Sequence, residues 1–145
     1  MAKGYPDFFG YPQFPSIGPV VVDYFVSAAV VSGVVTTIHS ITTKGQILGG
    51  FCRPLGDYTG WPFELTLAID GEIAMSFQPS DLYGGRVYDS KIAPIYLIDY
   101  ADGGVNFTFG FSPGITFVNS YLFTLEHNEG ANRTVQSWLY YTLLK

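Results

Sequence analysis

Apolar residues recur at every second position through the middle of the chain. They run Val105, Phe107, Phe109, Phe111, and then Ile115, Phe117, Tyr121, Phe123 and Leu125. A period of two marks strands with one buried face. Asp102-Gly103 is a hairpin signal, because a type I′ turn needs positive φ at both central positions. A turn closed there sets Tyr100 opposite Val105, Ile98 opposite Phe107 and Tyr96 opposite Phe109 on one face. Asp99 with Asn106, and Leu97 with Thr108, then share the other face. A slip of one residue would break every pair.

The same pattern extends in both directions. Residues 20–35 supply one or two strands, with Ser32-Gly33 as a break, and residues 36–43 form a β-branched strand carrying His39. Residues 46–53 read as a strand in which Gly49 and Gly50 mark a bulge or close packing. Residues 54–62 are a loop. Phe63, Leu65, Leu67 and Ile69 alternate with polar neighbours, and Ile73, Met75 and Phe77 follow after Asp70-Gly71. A two-residue turn there would mix the faces. A three-residue loop or a bulge would restore Ile69 with Ile73 and Leu67 with Met75, so we expect a hairpin with an odd-length loop. Residues 78–94 are the longest irregular region, a length that suits a binding loop. Ser112-Pro113-Gly114 fits a type II turn. Residues 134–144 form the last strand, with Val135, Leu139, Tyr141 and Leu143 on one side and Trp138 and Tyr140 on the other. Apolar residues on both faces predict cover on both, with a neighbour on one of them.

The first 19 residues differ from the rest. Pro6, Pro12, Pro15 and Pro19 stand among Tyr5, Phe8, Phe9, Tyr11 and Phe14. Proline at this density favours an extended, polyproline-like path, and the rings call for a surface to lie against. The division is an extended N-terminal arm over residues 1–19 and a single domain over 20–145. Eight to ten short strands and no amphipathic helix predict an all-β, antiparallel β-sandwich, of jelly-roll type.

Composition changes the picture in one respect. The 145 residues are 48% hydrophobic and 17% aromatic but only 13% charged, against about 25% in typical soluble domains. Such a chain hides its surface or uses it in contacts. Seven Lys and Arg against twelve Asp and Glu give a net charge of −5, which speaks against nucleic acid and against an anionic membrane as partners. The one cysteine, Cys52, excludes an intrachain disulfide framework and reads as a small buried hydrophobe. The start lacks the order of a signal peptide, and the apolar run over residues 19–35 contains Asp23 and is short for a membrane span.

No catalytic motif accompanies this architecture. His39 and His127 lie in no nucleophilic or metal-binding pattern, and His39 reads as a hydrogen-bonded strand residue. Glu64 and Glu126 could pair as glycosidase carboxylates but read as the solvent side of alternating strands. Asp99 and Asp102 do not continue into a calcium loop. We expect no catalytic residue, cofactor or metal site. The partner-binding candidates are Tyr5, Phe8, Phe9, Tyr11 and Phe14 in the arm and Trp138 and Tyr140 in the last strand. Tyr58, Trp61, Tyr83 and Tyr88 are loop aromatics that either pack the loops or stack on a sugar.

Several segments together resemble small β-rich virion structural proteins of tailed viruses. They are Tyr5-Pro6-Asp7-Phe8-Phe9-Gly10, the stretch from Lys44 to Gly50, Ile69-Asp70-Gly71, and the stretch from Phe109 to Phe117. The resemblance implies a virion location and a role in capsid decoration, a head fibre or a tail. It carries no catalytic residue. Beside the resemblance, we expect the chain to work by self-association into a homo-oligomer and by docking onto other virion proteins, with the arm from Tyr5 to Phe14 and the last strand over residues 134–144 making the contacts. The alternative is a carbohydrate-binding module for host-surface attachment.

Overall fold

The computed structural model describes residues 17–55, 63–100 and 107–144. Among them, ten strands and one short helix follow in the order β1 (Ile17–Val30), β2 (Thr36–Ile41), β3 (Gly45–Leu55), β4 (Phe63–Ile69), β5 (Glu72–Phe77), α1 (Pro79–Gly84), β6 (Ile95–Tyr100), β7 (Phe107–Phe111), β8 (Thr116–Phe117), β9 (Tyr121–His127) and β10 (Arg133–Leu144). β1 thus begins inside the stretch read as the end of the arm. None of the described helices is long and apolar enough to cross a membrane.

The strands form two antiparallel sheets. The first has the order β1-β10-β3-β7-β6, with β8 pairing β3 to one side, and the second has the order β2-β9-β4-β5. β1 pairs with β10, β2 with β9, β3 with β7, and β4 with β5. These pairs are nested in the sequence, and they alternate between the sheets. The expected all-β, two-sheet architecture is therefore present.

Alternation builds the core as the sequence indicated. Phe107, Phe109 and Phe111 of β7 point inward, as do Tyr121, Phe123 and Leu125 of β9 and Phe63, Leu65 and Leu67 of β4. The rings meet edge to face across the sheets: Phe63 with Phe107 at 5.6 Å, Phe77 with Phe109 at 5.9 Å, and Phe111 with Phe123 at 5.0 Å. This geometry brings ring edges onto ring faces and adds to the burial of apolar area. Cys52 is buried among them, and burial pushes its thiol up to about 12.

Two expected registers are corrected. In the β6–β7 pair, Ile95 faces Phe111, Leu97 faces Phe109, and Tyr100 faces Phe107, with a bulge between Leu97 and Asp99. Ile98 is the extra residue and is 52% exposed, while Ile95 and Leu97 are buried. The inward face of β6 is therefore the opposite of the one expected. Core burial of two aliphatic side chains against Phe109 and Phe111 decides it. Tyr100 stands opposite Phe107, whereas a turn on Asp102-Gly103 would set it opposite Val105, so this register is not the one expected from that turn. Asp102-Gly103 itself lies outside the described residues.

In the β4–β5 pair the loop is even, not odd. Asp70 (φ 53) and Gly71 (φ 86) form a two-residue turn that sets Ile69 opposite Glu72. The parity is restored one step later by a bulge at Ala74, which brings Leu67 opposite Met75 as expected and leaves Ile73 69% exposed. The 78–94 region is not wholly irregular. Pro79 starts α1, and Gln78 and Asp81 cap it reciprocally.

Candidate functional site

The outward faces of the two sheets have opposite chemistry. On the first sheet, Tyr24 of β1 stands opposite Trp138 of β10, and Trp138 opposite Phe51 of β3. Phe51 stands opposite Gly110 of β7, and Gly110 opposite Tyr96 of β6. These five residues make one cross-strand row over the whole width of the sheet. A side chain at Gly110 would run into the Tyr96 ring, so the glycine is the place where that ring lies down. Trp138 touches Tyr24 at a centroid distance of 4.4 Å and Phe51 at 4.9 Å, tilted by 40° and 39°. Beside this row, Val22 stands opposite Tyr140, and Tyr140 opposite Gly49. Tyr24 is 52% exposed and Tyr140 39%. Arg53 and Gln136, bonded at 3.2 Å, form a polar border.

On the second sheet the equivalent row is Thr37, Thr124, Thr66 and Ser76. The Thr66 and Ser76 hydroxyls lie 3.3 Å apart, and Ser76 donates to Glu64 at 3.3 Å. Glu64 and Glu126 stand directly opposite each other on this face. A hydroxyl and carboxylate surface is at ease in water. A contiguous row of aromatic rings is the kind of surface that soluble monomers rarely leave bare.

The expected partner residues Trp138 and Tyr140 both belong to the aromatic face. Tyr5, Phe8, Phe9, Tyr11 and Phe14 lie outside the described residues, as do Tyr58 and Trp61. Tyr83 and Tyr88 are exposed and line a shallow depression with Gly84 and Arg86. Sequence reasoning missed Tyr24, Phe51 and Tyr96, because the row exists only once the strand order is known.

A second constellation lies at one open side of the sandwich. Asp23 points inward from β1, His39 from β2 and Ser137 from β10. The His39 Nδ1–H donates to the Asp23 carboxylate at 2.8 Å, and Nε2 lies 2.6 Å from the Ser137 hydroxyl. The same hydroxyl is 2.9 Å from the Phe51 carbonyl oxygen. β2 bulges at Ile38, so that both Ile38 and His39 turn inward. Burial holds the imidazole below its ordinary value, against the opposing pull of the Asp23 carboxylate. The order carboxylate–imidazole–hydroxyl is that of a nucleophile, base and orienter. Here Ser137 is 0% exposed and its hydroxyl is held against backbone. The geometry makes the trio a polar clamp between the sheets. Among the described residues, no three His, Cys, Asp or Glu gather to hold a metal ion.

In comparison with known proteins, the chain matches no family model and no curated sequence.

Proposed function

We propose that this protein is a non-enzymatic structural component of a virus particle, working by self-association and by docking onto other virion proteins as a capsid decoration, head-fibre or tail component. The aromatic row of the first sheet is the observation that carries this reading. Aromatic anchors dominate interface energetics, and the polar pair Arg53 and Gln136 flanks the row on one side, as a polar rim flanks interface cores. The low charge of the chain supports the same reading, since few charges need to be desolvated on association.

The sandwich is of jelly-roll type on this reading. The support is the nested pairing of β1 with β10, β2 with β9, β3 with β7 and β4 with β5, which is that of one long hairpin rolled over two sheets. An extended N-terminal arm precedes it, and the Pro and aromatic composition of residues 1–16 supports that part. The test is particle association. Antibodies against the chain should label purified virus particles, and the chain should co-sediment with them. Absence of the chain from every purified particle preparation would remove the virion role.

A second reading, attachment to host carbohydrate, draws support from Tyr83 and Tyr88 around Arg86. The face row does not favour it. Rings packed 4.4 and 4.9 Å apart at 40° and 39° tilts stack on one another and offer no flat platform to a sugar.

A further inference from the structure

We infer that the aromatic row Tyr24–Trp138–Phe51–Gly110–Tyr96 is the seat of the Pro- and aromatic-rich N-terminal residues of a second copy of this chain. The inference rests on the reading that the protein self-associates, and it names the segment that does so.

Three features carry it. The first is chemical fit. An aromatic-lined surface is what a proline-rich, extended segment docks on, because such a segment is already stiff and loses little freedom. Residues 5–15 hold Tyr5, Phe8, Phe9, Tyr11 and Phe14 with Pro6, Pro12 and Pro15, and no charge occurs from Phe8 to Val22. The row likewise carries no charged side chain.

The second is reach. The chain before Ile17 is long enough, at ~3.1 Å per residue in a polyproline path, to extend about 50 Å. Five strands spaced about 4.8 Å apart make a row only about 20 Å wide.

The third is direction, and it selects the second copy. β1 runs from Ile17 towards Tyr24, so residues 1–16 join the sheet at the end of β1 remote from the row. Tyr24 is seven positions up the strand, about 23 Å from Ile17. To cover its own row, the segment would have to reverse and run back over β1. Pro12 and Pro15 oppose that reversal by favouring an extended path. A neighbour's row needs no reversal.

Disulfide trapping tests this. Cys52 is buried and its thiol is pushed up to about 12, so cysteines introduced at the surface report alone. Single variants Tyr5→Cys, Phe8→Cys, Tyr11→Cys and Phe14→Cys are each mixed with Tyr24→Cys and oxidised mildly. The expected result is an interchain adduct with Tyr24→Cys for at least one arm position, several-fold above the adduct with Thr124→Cys on the opposite sheet. Each double variant, arm position with Tyr24→Cys, separates the two geometries, since an intrachain bond leaves the mass of a single chain. Bonds formed only within one chain, or equal yields on both faces, overturn the inference. Light scattering on the unmodified chain separates the two levels. A monomer removes self-association and the inference together. An oligomer without row adducts removes the inference alone.

Discussion

A protonated His39 would satisfy every group in the Asp23–His39–Ser137 clamp. Both ring nitrogens would donate, and the Ser137 hydroxyl would be left for the Phe51 carbonyl. Burial nevertheless outweighs the Asp23 carboxylate and holds the ring below its ordinary value. The folded chain therefore stays neutral at this position to lower pH than the unfolded chain, which takes up a proton near about pH 6.5. Between those two values the unfolded state binds more protons, so stability falls as pH falls. We expect the melting temperature to drop on acidification from about pH 7.5 to about pH 5, and His39→Gln to flatten that limb. At neutral pH, His39→Gln should cost about 1–3 kcal/mol, since Asp23 and Ser137 lose a well-placed partner inside the sandwich. Thermal melts across the range check both. An unchanged pH slope in His39→Gln would mean that the imidazole is not the titrating group.

At the scale of elements, the β4–β5 turn does more than reverse the chain. Asp70 accepts backbone N–H bonds from Val118 at 2.9 Å, Asn119 at 2.6 Å and Ser120 at 3.0 Å, which ties the hairpin tip to the β8–β9 connection. Those donors hold its carboxyl below the usual carboxylate range. Its contribution is present above the unfolded carboxylate value and is lost as pH falls through the lower folded one. The order of urea midpoints should be wild type, then Asp70→Asn, then Asp70→Ala. Asn keeps one acceptor and tolerates the positive φ of 53. Equal midpoints for Asn and Ala would show that the acceptor is not what matters. This turn also shows how much was legible in the sequence. Strands β4, β7, β9 and β10 follow from period two, because the core reads every second residue. The bulges at Ile38, Leu48, Ala74 and Ile98 leave little trace in that period. Each adds one residue and inverts the face beyond it. Gly49 and Gly50, at φ 145 and 144, signalled theirs in advance, and the mixed faces across Asp70-Gly71 signalled the one at Ala74. Trp138 and Tyr140 were legible because one strand carried apolar residues on both sides. Tyr24, Phe51 and Tyr96 were not, since strand order sets their alignment. His39 and Ser137, 98 positions apart, were brought together in the same way.

At the scale of the whole molecule, the two sheets share one core and present unlike faces to the outside. The Thr37–Thr124–Thr66–Ser76 face can remain in water. The Tyr24–Trp138–Phe51–Tyr96 face gains from cover, and an ordered aromatic buries roughly 150–250 Å² when covered. On the reading proposed above, this face, and not the hydroxyl face, is where the protein meets its partner copies. Light scattering on the full chain over a range of concentrations tests it most directly. The chains compared are the wild type, Tyr24→Ser, Tyr24→Ser with Trp138→Ser, and Thr66→Ala with Thr124→Ala, each confirmed as β-folded by circular dichroism. Tyr24→Ser alone guards against a folding defect from the half-buried Trp138. The account predicts an oligomer for the wild type and for the hydroxyl-face variant, and a shift towards monomer in both aromatic-face variants. A wild-type chain that stays monomeric at every concentration, or folded aromatic-face variants with the wild-type mass, would contradict it.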